Sequence, residues 1–297
     1  MFSLFWAFQI LITKIGFLAG ALVLPFQIIS FVASIVTLAV IILPKSGVGL
    51  WQLFKQEPTI FWNLYLANAI QSGLGTYLSL IGIALTDAIN AGFLVKLSTV
   101  TTTIFAWLFL KEKMSHQKIL LVVTMLSGAY LLTTKGQMIL PRIGDFLILG
   151  ACLCWSLGNV AVRKALQAQS VDADVATIQK PLAGFPVLLI LIGVSSINLE
   201  WLGNYKAVLG CCTFSLKVLP YALMSGFFLA MAWIFLYRTL NVSTASYMTL
   251  MSMVTPVIVS LLAIIFLGES LIWIQVLGAG MILLSSVLIY CSDIAST

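Results

Sequence analysis

The chain has 297 residues, of which 61% are apolar and 8% charged, with a mean hydropathy of +1.13 and a formal net charge of +6. Soluble domains carry about 25% charged residues, so this surface belongs against lipid and a water-soluble globular protein is excluded. The lysines and arginines fall mostly in short connections instead of on one basic face, which argues for membrane orientation over nucleic-acid binding.

The apolar stretches exceed the ~20 residues that cross a ~30 Å hydrocarbon core, and they lack the two-residue alternation of a membrane barrel. Helices follow. Polar and turn-forming breaks divide the chain into ten segments, at 2–20, 22–43, 59–85, 88–110, 116–134, 144–164, 174–197, 218–240, 244–267 and 271–291. The opening Met1-Phe2-Ser3-Leu4-Phe5-Trp6 has no basic region and no small-residue cleavage site, so it reads as a retained first span. Pro44, Lys45, Lys55 and Pro58 mark the connection after the second segment, and Lys135 to Arg142 mark the central one. In the seventh segment, Gln179-Lys180-Pro181 reads as a helix start or a proline kink, and no functional role follows from it. The longest connection, 198–217, carries Glu200, Lys206 and Lys217.

Phe109-Leu110-Lys111-Glu112-Lys113 and Phe266-Leu267-Gly268-Glu269-Ser270 repeat one pattern 157 positions apart, close to half the chain. Trp6 with Lys14 is likewise echoed by Trp155 with Arg163, each pair in the first span of its half. Two copies of a five-helix unit are expected, at 1–140 and 141–297. An odd number of spans inverts the second copy relative to the first. The charges agree, because lysines flank Glu112 while Gly268 and Ser270 flank Glu269. Alternating the connections puts nine basic residues on the face with both termini and five on the other, which predicts cytoplasmic termini in a cell (inner) membrane. The expected fold class is an all-α membrane protein, ten transmembrane helices as two inverted five-helix repeats.

These landmarks together resemble the drug/metabolite transporter superfamily, in particular its ten-helix EamA-like members. The residues that carry the resemblance are Trp155-Ser156-Leu157-Gly158-Asn159, Ser252-Met253-Val254-Thr255-Pro256-Val257, and Phe266 to Ser270 followed by Gln275 and Gly278. In the first copy they are Phe109 to Glu112 and Gly128. The chain departs from the pattern where Thr99 stands in place of a second proline like Pro256, and where Gln9-Ile10 replaces Gly158-Asn159. The Arg often found early in the family's second helix is absent from 22–43. The resemblance implies export or exchange of a small organic metabolite by alternating access, without naming the cargo.

Lys96 is the sharpest site candidate. It lies about 12 Å into the fourth segment at ~1.5 Å per residue, and a charge there costs at least ~2.5 kcal/mol at a helix centre. It should face a substrate carboxylate or phosphate, unless it snorkels or pairs internally. Gln71, Tyr77, Trp155, Asn159, Trp233 and Tyr247 are polar or amphipathic groups within spans that need hydrogen-bond partners, and Trp6 joins them as the repeat partner of Trp155. They line a substrate cavity or bond helices together. Glu112 and Glu269 are expected to cap the helix that follows each of them, with Pro256 as a further structural landmark.

All nine acidic residues fall in connections or at span ends, which favours a facilitator or exchanger over a proton-coupled efflux antiporter. The five cysteines have no CxxC or Cys/His spacing and His116 is the sole histidine, so no metal or cofactor is expected. A membrane-embedded enzyme lacks GxSxG, HExxH and paired intramembrane carboxylates, so no catalytic residue is assigned. A non-transporting assembly subunit is the remaining alternative. The expected partners are a small-molecule substrate (amino acid, organic anion or other metabolite) and the lipid bilayer.

Overall fold

The computed structural model describes residues 1–86, 93–112, 115–138, 142–168, 171–198, 215–268 and 270–294. Asp87, Lys113, Glu200, Lys206 and the turn glutamate Glu269 lie outside them. The described residues are helical apart from short connections: α1 (Phe2–Leu18), α2 (Val23–Gln56), α3 (Pro58–Asn68), a π-helical segment (Ala69–Leu74) and α4 (Gly75–Leu85). A 3-10 turn (Val95–Leu97) leads into α5 (Ser98–Leu110), followed by α6 (His116–Thr134), α7 (Ile143–Gln167) and α8 (Ala173–Asn198). A second 3-10 turn (Leu216–Val218) opens α9 (Leu219–Val242), and α10 (Ala245–Ser252), α11 (Thr255–Leu267) and α12 (Trp273–Ile294) complete the chain.

Among the described residues, six helical stretches are long and apolar enough to cross a membrane, and shorter apolar helices lie at Phe2–Leu18, Val95–Leu110 and Trp273–Ile289. Their outer faces carry Val40, Ile265 and Trp273, each 70% exposed or more. Lipid, not water, suits such faces.

One boundary is corrected. The second helix does not stop at 43; α2 continues through Pro44 to Gln56. A proline removes one backbone donor and crowds the preceding turn, but the residues after it, including the exposed Val48 and Trp51, continue a helix about 51 Å long at 1.5 Å per residue. Pro58 then sits in the first turn of α3, where its missing N–H is no loss.

The third residues of the two echoed pentapeptides, Lys111 and Gly268, share a backbone geometry. α5 ends on Lys111 at φ 55° and α11 on Gly268 at φ 66°, both left-handed, with the capping N–H returned to Ala106 O and Ala263 O respectively. Glycine adopts this conformation freely and lysine at some cost, so the echo marks a helix stop. The helices above these stops are also interrupted in register. The 3-10 turn Val95–Leu97 precedes α5, and the break between Ser252 and Thr255 precedes α11. Pro256 occupies the first turn after its break, whereas Thr99 follows the other break without a proline.

Packing is by close helix crossings. α6 crosses α12 where Gly128 and Gly278 meet, each leaving room for the other's carbonyl. α9 packs on α1, α2 and α8; α7 on α3, the π segment, α4 and α5; α8 on α2, α3 and the π segment; α1 on α11; and α5 on α10. Hydroxyls within the helices turn back to their own carbonyls, as Thr177 does to Ala173 and Thr239 to Phe235 at 2.7 Å each.

Candidate substrate site

The π segment is the centre of the candidate site. A π turn widens the helix by one residue and occurs often at functional positions, and this one presents Gln71 and Ser72 while Asn68 precedes it. The wide turn needs neighbours without side chains. Gly158 on α7 lets Gln71 approach, since a Cβ there would lie 2.5 Å from that of Gln71. Gly184 on α8 does the same for Ser72, whose backbone carbon would lie 2.8 Å away. The π segment therefore nests between α7 and α8, with the Ser72 hydroxyl 2.8 Å from the Lys180 carbonyl.

Around this turn a buried polar cluster joins the π segment to α7, α8 and α9. Gln71 Nε2 donates to the Trp155 carbonyl at 3.3 Å and to Asn159 Oδ1, both on α7. The Tyr237 hydroxyl of α9 lies 2.8 Å from Asn68 Oδ1 and 3.1 Å from Gln71 Oε1. Lys180 of α8 donates to the Tyr237 oxygen at 3.5 Å. Its ammonium also sits 5.1 Å from the Tyr237 ring centroid and 5.7 Å from that of Trp233. Trp233 and Tyr237 are four residues apart on α9 and so present one face, with Trp233 held edge-on by Phe31 of α2. Lys180 is only 6% exposed and has no carboxylate partner among the described residues. The Asn68 amide nitrogen is buried without a hydrogen bond.

Of the residues expected in the site, Gln71, Trp155, Asn159 and Trp233 are brought together here. The indole of Trp155 lies over Gly75, where a Cβ would come within 2.9 Å of the ring. The other four are elsewhere. Tyr77 packs with Ile81, Leu85 and Leu147. Tyr247, in the first turn of α10, packs against the cluster that contains Leu121 and Val257. Trp6 joins the apolar cluster that includes Val160 and Met248. Lys96 is half-buried in the 3-10 turn ahead of α5, beside the apolar cluster of Leu94, Ile148 and Cys152. Next to it a Ser/Thr stripe ties α5 to α7, with Ser156 Oγ 2.9 Å from Thr102 Oγ1 and 3.1 Å from the Ser98 carbonyl.

Lys180, Tyr237 and Asn68 were not anticipated. The signal for Lys180 was present, since a lysine inside an apolar stretch is costly. Reading Lys180-Pro181 as a helix start concealed it; α8 begins at Ala173 and runs through both Pro181 and Pro186. Tyr237 and Asn68 carried no signal beyond residue type.

Glu112 caps a helix, but not the one that follows. α6 is capped by Ser115, which accepts from Lys118 N at 3.1 Å. The Glu112 carboxylate instead accepts from Ala245 N at 2.8 Å, Ser246 N at 3.2 Å and the Ser246 hydroxyl, at the start of α10. The left-handed turn at Lys111 swings the side chain away from α6, and the partial positive charge of the α10 N-terminus holds it. Nearby, Arg163 Nη1 donates to the Leu240 and Asn241 carbonyls at 2.7 and 2.8 Å, closing the end of α9. A cavity of about 550 Å³ opens beside it, lined by Arg163, Gln167, Asp172 and Asn241 among others, at the helix ends and apart from the buried cluster. Glu112→Ala leaves two backbone donors uncapped, so it should lower unfolding stability by about 2 kcal/mol. Thermal unfolding of the purified protein in detergent checks this, with Glu112→Gln intermediate.

A model of the EamA-like transporter family matches residues 1–134 and 142–291. The chain belongs to that family. An uncharacterized transporter of Methanothermobacter thermautotrophicus is 26% identical over 245 residues, covering 79% of this chain and 67% of that protein. The uncharacterized transporter YvbV of Bacillus subtilis is 25% identical over 226 residues, covering 75% and 70% respectively. A solved crystal structure with a TM-score of 0.69 and 16% identity covers 96% of this chain and 92% of its own, and shares the fold. This EamA-like protein is thus an integral membrane transporter.

Proposed function

We propose that this EamA-like protein is a secondary transporter that moves a small organic metabolite by alternating access between two inverted halves, 1–140 and 141–297. Each half contributes five membrane spans, with both termini on the cytoplasmic side of a cell membrane. In this reading α3, the π segment and α4 form the third span, the 3-10 turn and α5 the fourth, and α10 with α11 the ninth. Exchanging each span for its counterpart maps the most extensive packing contacts onto one another. First-on-eighth becomes sixth-on-third, first-on-ninth becomes sixth-on-fourth, and second-on-eighth becomes seventh-on-third. The fifth–tenth, second–seventh and fourth–ninth contacts map onto themselves. That pattern is what a two-fold relation between halves produces.

The observation that carries the reading is the buried polar cluster. Asn68 and Gln71 come from one half, and Asn159, Lys180, Trp233 and Tyr237 from the other. Amides and a lysine inside an apolar protein are costly unless a wet cavity or a ligand satisfies them, and the junction of two moving halves supplies both. Lys96, in the 3-10 turn of the fourth span, is a second basic group within the apolar stretches. Among the described residues, the carboxylates of Glu57, Glu112, Asp145, Asp172 and Asp174 lie at helix ends or in connections. This supports facilitated transport or exchange over proton coupling.

The test is purified protein in liposomes, screened with radiolabelled amino acids, nucleobases, sugar phosphates and organic acids. Uptake or counterflow of at least one class is expected, and an imposed pH gradient should drive no accumulation. Protein that moves none of them, with or without counter-substrate inside, defeats the transport reading. Accumulation driven by the pH gradient defeats the facilitator reading alone.

A further inference from the structure

The cluster around Tyr237 has more donors than acceptors. Lys180 brings three N–H groups and a positive charge, of which one meets the Tyr237 oxygen at a long 3.5 Å. The Asn68 amide brings two further N–H groups, and its nitrogen is buried without a partner. The acceptors present, Asn68 Oδ1 and Gln71 Oε1, both face the Tyr237 hydroxyl. The Tyr237 hydroxyl donating to Oδ1 sets the Asn68 amide with its nitrogen at the unpartnered position, and the Lys180 surplus is the same for either orientation. Among the described residues no carboxylate reaches this place, and the aromatic faces of Trp233 and Tyr237 are already turned to the ammonium.

We infer that Lys180 and Asn68 form the docking point for the carboxylate of a small monoanionic organic acid. This deepens the transport reading and rests on it. A carboxylate offers two oxygens with about four acceptor positions, which match the surplus donors, and its single charge matches the single lysine. A phosphate dianion would leave one negative charge buried and unmatched. The Trp233 and Tyr237 rings keep the ammonium in place between turnovers, when it would otherwise stand desolvated and unpaired. Tyr237 and Gln71 carry the effect of the anion to Asn159 and the Trp155 carbonyl on α7, so binding acts on both halves.

The experiment compares acids with their amides. Lactate, benzoate and phenylacetate, each beside lactamide, benzamide and phenylacetamide, are added to the purified full-length protein, and thermal unfolding and liposome uptake are read. At least one acid should raise the unfolding temperature and be taken up, with its amide at least tenfold weaker in both. Lys180→Gln should abolish that preference and Lys180→Arg should keep part of it. Asn68→Asp places a carboxylate beside the same hydroxyl as the lysine. It should fold at least as stably as the parent and lose acid binding, because the lysine then has an internal counter-ion. If no acid stabilises the protein, if amides match the acids, or if Asn68→Asp binds acids as well as the parent, the inference is overturned. Uptake of neutral metabolites by the same liposomes would leave the transport reading standing, whereas liposomes that move nothing would remove both.

Discussion

Gly184→Val is expected to give a protein that unfolds at a much lower temperature, with little recovered as a monodisperse species. Gly184 lies on α8 where the π segment crosses it, and an added Cβ would sit 2.7 Å from Ser72 Cβ and 2.8 Å from the Ser72 backbone carbon. Real Cβ atoms do not approach so closely, and a backbone neighbour cannot rotate away. Overpacking a tight contact costs about 1–3 kcal/mol, and here a β-branched side chain must push two helices apart along their whole crossing. Separating them also breaks the 2.8 Å bond from Ser72 to the Lys180 carbonyl and draws Lys180 away from Tyr237. Gly193→Val on the same helix is the control, because a Cβ there meets open space. Similar unfolding temperatures for the two variants would show that the crossing tolerates separation.

The second large effect is expected at Gln71. Gln71→Leu keeps the size of the side chain but removes the donor to the Trp155 carbonyl and Asn159 and the acceptor facing Tyr237. Buried groups left without partners cost about 1–3 kcal/mol each. Tyr237 retains Asn68 as a partner at 2.8 Å, so the fold should survive with a modest loss. Transport should fall at least tenfold, because among the described residues Gln71 is the side chain that hydrogen-bonds both Tyr237, which meets Lys180, and α7. Initial rates in liposomes, set beside thermal unfolding, separate the two effects. A variant that is destabilised yet transports at the parental rate would reduce the cluster to helix–helix bonding.

Much of the helix layout was legible because lipid imposes it. A segment long and apolar enough to cross the bilayer has no other stable state, since every backbone group must be satisfied within it. The fifth segment, read at 116–134, matches α6 residue for residue. The error at 43 arose because Pro44 was given the force of a stop, whereas a helix end outside the hydrocarbon is free to continue past a proline. The site was less legible. Gln71, Asn159, Trp155 and Trp233 were marked by being polar or amphipathic within apolar stretches, and they do meet. Tyr77, Tyr247 and Trp6 carry the same mark and do not. The difference lies in which face of each helix turns inward, and that depends on glycines of neighbouring helices. Gly158 and Gly184 admit the π segment; their role appears only once the helices cross.

The echo that divides the chain in two illustrates the same boundary. Lys111 and Gly268 both end their helices in the left-handed conformation, and that stop belongs to local sequence. The partner of Glu112, the start of α10, lies 133 residues away and was read instead as the next helix along the chain. Composition, segment length and charge placement determined by themselves a helical membrane protein, because partition into lipid depends on those quantities alone. Which lysine stands among the amides, and which helix a glutamate caps, was decided by tertiary structure. Those outcomes depend on distances between residues far apart in the chain, and only close packing at glycine crossings sets them.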